Sequence, residues 1–436
     1  MQKIKIGMVG LGTVGAGVWD ILHRHQGLLT QRAGVRLEIA RVVVRSKKKQ
    51  RGVSVPAGLV ATDFRAVLKD PEIKIVVELT GDVRAARRLA LQAIRAGKHF
   101  VTANKALLAL HGKELFMAAR RAKVDICFEA AVGGGIPILR SLREGFVANR
   151  ILSLYGIVNG TCNYILSEMA RNGKDFAGTL KLAQKLGYAE ADPRFDVDGI
   201  DAAHKLVILL SIAYGVTVDL KKVYVEGIRS ISPLDLECAK RFGYEVKLLA
   251  IAKRVGKTIQ ARVHPTMIPQ SSMLAAVHGV YNAVLLNGDF VGEGMLYGRG
   301  AGSKPTASAV VGDIVEVARN ILAGVGYTVP PLGVHNARIS DAPIEPIGRL
   351  KAPYYLRFQA IDRPGVLAKI THILGRHRIS ISSVYQHVRE EGREVPIVVL
   401  THDALEKDIM GAVARVDALS AVRRPTTLIR VEENCP

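Results

Sequence analysis

Lys3–Gly15 reads KIKIGMVGLGTVG. Its first half alternates and then runs apolar, as a buried strand does, and Gly10-Leu11-Gly12-Thr13-Val14-Gly15 follows without a break. Val14–His25 then carries helical periodicity. In a strand–glycine loop–helix unit each glycine has its own task. Gly10 permits the tight turn, Gly12 lets backbone approach a pyrophosphate, and Gly15 allows close packing of helix on strand. The helix start, with Thr13 and Val14 in it, offers open N–H groups and the positive end of the helix dipole to phosphate. A lone GxGxxG would say little, but this one sits inside an N-terminal βαβ unit and predicts a dinucleotide site.

The chain downstream repeats the same alternation. A strand over Leu37–Val44 closes the βαβ unit, and another over Ile73–Leu79 ends at Thr80-Gly81. The helix Val83–Ala96, the strand His99–Thr102, the tripeptide Ala103-Asn104-Lys105 and the helix Ala106–Ala122 follow. A strand near Val124–Ala130 leads into the glycine-rich turn Val132–Pro137. Strand and helix in alternation predict an α/β domain, a doubly wound parallel sheet of Rossmann type. The end of its second strand selects the cofactor. An NAD site usually carries Asp or Glu there, whereas this chain has Arg45-Ser46-Lys47-Lys48-Lys49, suited to clamping a 2′-phosphate. NADP is the expected cofactor, with NAD still possible in turnover; the plain alternative is a solvated basic hairpin tip.

The remaining chain predicts two further domains. A mixed α+β region over 138–335 includes strand candidates at Ile151–Val158, Val223–Gly227 and Glu245–Arg254, and a helix at 304–327 that would pack back on the first domain, residues 1–137. Residues 336–352 read as a linker, and 353–436 as β-α-β-β-α-β, a ferredoxin-like order. That last segment places strands at Tyr354–Ile361, Ile379–His387, Val395–Leu400 and Val422–Val431, with helices at Val366–Arg376 and Leu405–Val416.

Chemistry concentrates in Gly187–Gly215, GYAEADPRFDVDGIDAAHKLVILLSIAYG. Glu190, Asp192, Asp196, Asp198 and Asp201 precede Lys205 in a chain of formal charge +22. A helix starting near Gly199 puts Asp201 and Lys205 on one face, where a carboxylate beside an ammonium could hold a small zwitterion and hand it a proton. A solvated acidic loop beside a surface ion pair is the bland reading of the same residues. Lys105, after a strand of the parallel sheet, faces the expected cofactor cleft; a cation at a helix start is otherwise disfavoured by the dipole. Cys162, in Asn159-Gly160-Thr161-Cys162-Asn163, lacks a sequence-near histidine to activate it and reads as a small buried residue. The four cysteines are far apart with no CxxC pair, as in a reduced, cytoplasmic protein. No signal peptide or membrane-length apolar run is expected, and dispersed basic residues without a recognition motif disfavour nucleic acid.

With these residues in view the chain resembles the homoserine dehydrogenase family, in its longer form with a C-terminal ACT domain. GLGTVG, ELTG at Glu78–Gly81, TANK at Thr102–Lys105, EAAVGGGIP at Glu129–Pro137 and NGTCNYIL at Asn159–Leu166 come in the family's order. The acidic segment, GRGAG at Gly298–Gly302 and PTASAVVGD at Pro305–Asp313 follow. The resemblance implies reversible reduction of L-aspartate 4-semialdehyde to L-homoserine with a nicotinamide cofactor. It implies Lys205 as proton donor and Lys105 as a second acid/base candidate, with Glu190 and Asp201 on the substrate amino group. Thr80 and Gly302 would touch the cofactor. Glu129 with the backbone carbonyls of Val132, Gly134 and Ile136 would hold a monovalent cation such as Na+. Asp362-Arg363-Pro364-Gly365-Val366-Leu367 resembles the ACT turn, so Asp362, Gly365 and Val366 become candidates for a threonine effector, although ACT domains also serve only to dimerise. A homo-oligomer, dimer or tetramer, is implied, and no fused kinase is expected. Two rivals stand beside this reading: a semialdehyde dehydrogenase using an activated cysteine, and a non-catalytic sensor that binds NADP and an amino acid.

Overall fold

The computed structural model describes residues 2–47, 52–335, 340–386 and 390–435. Its chain folds into two compact units, each built from three separate stretches.

The first unit comprises Met1–Val158, Ala203–Lys221 and Tyr281–Ala342. Its main sheet runs Val60–Ala61, Arg36–Val43, Lys3–Val9, Ile73–Glu78, His99–Thr102, Ile126–Cys127, all parallel. This is the doubly wound order in which the sequence of strands across the sheet reverses beside the first strand, so a crevice opens at its carboxyl end. Ile4, Ile6 and Met8 on that strand are buried with Val18, Trp19 and Leu22 of the helix Thr13–Arg24. Each such side chain withdrawn from water contributes about 1.5–3 kcal/mol. The helix Ser303–Leu322 lies along Thr13–Arg24, its Ala307 beside Gly17, where a Cβ would come within 2.8 Å. The expected helix over 304–327 therefore stops early, because Gly324 turns left-handed at φ +70°. The strand expected over Val124–Ala130 shrinks to Ile126–Cys127, since Glu129–Ala131 coils into a short 3-10 turn. A separate antiparallel set in this unit pairs Tyr281–Gly288 with both Ile151–Ile157 and Gly292–Arg299.

The second unit comprises Asn159–Ala202, Lys222–Val280 and Pro343–Pro436. Tyr244–Val255 and Thr258–Pro269 form a long antiparallel hairpin turned by Gly256 at φ +57°. The second hairpin strand was not legible in the sequence, because Arg262, His264 and Thr266 are polar yet fully enclosed. Thr258–Pro269 also pairs in parallel with the last strand, Val422–Val431. Val422–Val431, Tyr354–Ile361, Glu394–Thr401 and Ile381–Tyr385 then continue the sheet in ferredoxin-like order. Helices Val366–Arg376 and Glu406–Asp417 contribute Ile370, Leu374, Ile409 and Val416 to its core. The expected strand over Val223–Gly227 is only Tyr224–Val225, since at Gly227 the backbone bends flat against Val197. Of the expected linker, residues 336–339 lie outside the described residues, as do 48–51 of the basic run and His387. Among the described residues no helix is long and apolar enough to cross a membrane.

Gly300 shows how tightly the first unit is closed. A Cβ there would overlap the Asn282 amide, which donates to the Ile157 carbonyl at 2.7 Å. Gly300→Ala should cost about 1–3 kcal/mol, the range for forced overpacking, and lower the melting temperature accordingly. An unchanged melting temperature would mean that Asn282 is not held.

Candidate active site

In the first unit, the strand Lys3–Val9 ends at Gly10, whose φ of +105° and 2.5 Å approach of a would-be Cβ to the Leu79 carbonyl admit only glycine. At Gly15 a Cβ would collide with the Gly10 carbonyl, so the helix sits directly on the turn. Gly12 is different: nothing lies within 4 Å of its would-be Cβ, which leaves the approach open. Gly12 caps the helix without a side chain, and Gly302, at φ +121°, does the same for Ser303–Leu322. Ser303 Oγ donates to the Thr13 carbonyl at 2.7 Å and ties the two helix starts together. Gly12 and Thr13 line a cavity of about 810 Å³ together with Arg24, Gly52 and Lys304. Two helix N-termini without side-chain caps beside an open cavity fit the phosphates of a dinucleotide.

The next strand ends are held by Glu78, which in the sequence stands only as the first residue of ELTG, without a role of its own. Glu78 is fully buried and its carboxylate accepts from Thr80 N and Oγ1 at 2.6 Å and from Thr102 Oγ1 at 2.7 Å. It locks the Thr80 turn to the start of TANK. Asn104 then caps the helix Lys105–Ala122, its Oδ1 accepting from Leu107 N at 3.0 Å, so Lys105 is the first helical residue and is half-buried. Arg45 is exposed at the end of the second strand, 3.9 Å from the Asp82 carboxylate. It is not among the residues lining the Gly12 cavity.

Around the glycine-rich turn, both oxygens of Glu129 accept backbone N–H groups, from Leu139 at 2.9 Å and Arg140 at 2.8 Å. Its own N–H donates to Asp313 at 2.9 Å. Ile136 carbonyl also accepts from Ile138 N at 2.8 Å. Burial pushes Glu129 upward, and burial followed by the charges of Glu129 and Glu316 pushes Asp313 well above the usual carboxylate range. Arg140 and Arg143 balance only part of this negative charge. Glu129 and the carbonyls of Val132, Gly134 and Ile136 offer only oxygen donors, the type that suits a hard cation, and both Glu129 oxygens and the Ile136 carbonyl already accept backbone N–H groups.

In the second unit the acidic segment is sorted by partner. Asp192 pairs with Arg194, which holds its carboxyl down at about 2, and Asp198 pairs with Arg229. Asn159 caps the helix Gly160–Asn172 through Oδ1 to Cys162 N at 2.8 Å. Its Nδ2 donates to Asp196 and to Asp201, each at 2.8 Å. Asn159 was quoted in the sequence as part of a motif without a role; an Asn just before a helix is a capping signal and could have flagged it. Cys162 is buried and its thiol donates to the Asp196 carbonyl at 3.2 Å. Glu190 is exposed, its backbone carbonyl accepting from Gln184. Ile200–Tyr214 is one helix, which sets Asp201 and Lys205 one turn apart. Lys205 itself belongs to the first unit, where it is 8% exposed and its Nζ donates to the Val158 carbonyl at 2.6 Å.

The turn of the C-terminal domain is closed by Asp362. Its carboxylate accepts from Glu390 N at 2.9 Å and its N–H donates to the Arg393 carbonyl at 2.8 Å. Gly365, at φ +86°, caps the helix that begins at buried Val366.

Family models match three stretches of the chain. They are described as homoserine dehydrogenase, NAD binding domain, over residues 10–129, homoserine dehydrogenase over 137–315, and ACT domain over 354–418. A homoserine dehydrogenase of Pseudomonas aeruginosa is 46% identical over 99% of this chain and 100% of its own. The crystal structure of a homoserine dehydrogenase from Thiobacillus denitrificans superposes with a TM-score of 0.93 at 48% identity, covering 99% of both chains. A hyperthermophilic archaeal homoserine dehydrogenase in complex with NADPH gives a TM-score of 0.63 at 26% identity, over 72% of this chain and 98% of that one.

The open space at Gly12 makes a clean test of the cofactor cradle. Gly12→Ala should leave the melting temperature of the free protein unchanged, while weakening nicotinamide dinucleotide binding about tenfold or more by calorimetry. Equal binding by the variant would place the pyrophosphate elsewhere.

Proposed function

The chain belongs to the homoserine dehydrogenase family, and on that premise we propose which of its residues carry the reaction, which cofactor it prefers and what its ACT domain senses. It is an NAD(P)-dependent oxidoreductase that interconverts L-homoserine and L-aspartate 4-semialdehyde on the route to threonine, methionine and isoleucine. The bound nicotinamide supplies or accepts the hydride at the substrate carbon.

Lys205 is the proton donor to the forming hydroxyl oxygen. The observation behind this is its placement: a lysine nearly enclosed on an apolar helix, its ammonium pinned at 2.6 Å to the Val158 carbonyl. An ammonium held in place both stabilises charge arriving on oxygen and supplies the proton, and in the reverse direction it accepts it. Asp201, one turn earlier and fixed by Asn159, gives that ammonium a counter-charge and, with exposed Glu190, holds the substrate amino group. Lys105, at the head of its helix, is the second acid/base candidate on the nicotinamide side.

Cofactor contacts are assigned to Gly10, Gly12, Thr13, Val14, Gly15, Thr80, Lys105 and Gly302. Arg45 takes the 2′-phosphate, so NADP is the preferred form; the hyperthermophilic archaeal homoserine dehydrogenase in complex with NADPH supports this. Glu129, with Val132, Gly134 and Ile136 through their carbonyls, holds a monovalent cation such as Na+ that stiffens the glycine-rich turn. Asp362, Gly365 and Val366 form the effector turn of the ACT domain, for which threonine is the leading ligand. The working form is a homo-oligomer, dimer or tetramer, and the buried reduced thiols suit the cytoplasm. A cysteine-dependent rival fails on chemistry, because the Cys162 thiol is buried and spent on the Asp196 carbonyl.

Lys205→Ala should lower kcat for homoserine oxidation about 100-fold or more, the scale of a lost general acid, with cofactor affinity kept. Near-parent turnover would sink the assignment. In parallel initial-rate assays, NADP should be strongly preferred over NAD, and Arg45→Ala should raise the KM for NADP while leaving that for NAD unmoved. An equal effect on both would remove Arg45 from the 2′-phosphate.

A further inference from the structure

Arg430, at the end of the last strand, is 2% exposed and among the most enclosed cations of the second unit's described residues. Its guanidinium meets Glu406 through two nitrogens, Glu226 Oε2 at 2.8 Å and the Tyr224 hydroxyl at 2.9 Å. The Tyr224 hydroxyl also donates to Glu226, at 3.0 Å. Glu406 lies within the stretch that the ACT model matches, and Arg430 sits on the last strand, which pairs with the first strand of that stretch, whereas Tyr224 and Glu226 lie far outside it. The bidentate contact thus ties the last strand to Glu406, while single contacts reach out to Glu226 and Tyr224.

Glu226 in turn bears on the acidic segment through backbone, which gives its position little slack. A Cβ at the adjoining Gly227 would collide with the Val197 carbonyl and the Asp198 backbone. Ile228 N donates to the Val197 carbonyl at 2.9 Å. A Cβ at Gly199 would stand 3.1 Å from the Glu226 carbonyl. Val197 lies between Asp196, held by Asn159, and Asp198, held by Arg229. A shift of Glu226 therefore displaces the turn that carries these carboxylates, since close-packed backbone does not yield by compression.

We propose that Arg430 is a positioning residue for the substrate turn, acting through Glu226, so that the last strand of the ACT domain sets the affinity for the amino-acid substrate. The inference rests on the reading of Glu190–Asp201 as the segment that binds the substrate amino group. Arg430 touches no reacting atom in this scheme. Its effect passes along a chain of packed contacts with one charged link, Arg430 to Glu226, which a near-isosteric change can cut.

The test is steady-state kinetics of the full chain carrying Glu226→Gln, Arg430→Lys or both, with Glu190→Ala as reference. Glu226→Gln leaves Arg430 its bidentate partner Glu406 and should fold even if Arg430→Lys does not. The expected result is a KM for L-homoserine raised about 3- to 10-fold in Glu226→Gln, with kcat and cofactor Kd within about twofold of the parent. The double variant should be no worse than the worse single, as for two ends of one link. An unchanged KM in Glu226→Gln while Glu190→Ala raises it overturns the coupling alone, as does a loss confined to cofactor binding or additive effects of the two changes. An unchanged KM in Glu190→Ala instead removes the substrate turn itself, and the inference falls with it.

Discussion

Asp196 and Asp201 share the two amide protons of one side chain, Asn159, and much of the second unit is arranged to keep that possible. Asn159 and Asp201 are almost wholly buried, and a carboxylate taken from water without hydrogen bonds costs several kcal/mol. The amide carbonyl is used as well, capping the helix that begins at Gly160. A Cβ at Gly160 would come within 2.8 Å of the Val280 carbonyl, so the helix start is seated on that loop. One side chain thereby joins a helix, an acidic turn and the head of the helix that carries Lys205.

The cofactor side depends on backbone rather than on side chains. Gly10 and Gly15 let the first helix stand directly on the end of the first strand, and Gly12 and Gly302 leave two helix starts without side-chain caps. Such ends offer N–H groups without intrahelical partners and partial positive charge, which suits an anionic ligand. Glu78 does the complementary work nearby. Its buried carboxylate gathers Thr80 and Thr102, so the loops leaving two adjacent strands are fixed relative to each other.

The C-terminal domain is continuous with its unit in two ways. The last strand pairs with Thr258–Pro269 at Thr266–Arg430 and Met267–Val431, and a buried ionic network follows the same seam. Arg262 and Lys253 meet Glu432, while Arg430 meets Glu406 and Glu226. Such pairs add little net stability over apolar packing, because desolvation offsets attraction. They do specify geometry, since each guanidinium has a fixed fork and each displaced partner would be left buried and charged. His264, enclosed among these cations, is held well below its usual value by burial first and then by Arg430 and Arg262, and so stays neutral in the network.

The alternation of apolar strands and amphipathic helices, with glycines where the first strand meets its helix, determined the parallel sheet and the dinucleotide cleft without help from the rest of the chain. Those signals are local: a period and a backbone conformation are written in neighbouring residues. The same holds for the ferredoxin-like segment and for Asp201 and Lys205 on one helix. The strand Thr258–Pro269 escaped because its Arg262 and His264 face partners far away in sequence, and polar residues in an enclosed strand erase the apolar pattern. The sharing of Asn159 between two carboxylates, the grip of Glu78 on two threonines, and the reach of Arg430 to Glu226 were decided only by tertiary structure. A hydrogen bond between distant residues depends on where the backbone brings them, and spacing along the chain carries no record of that.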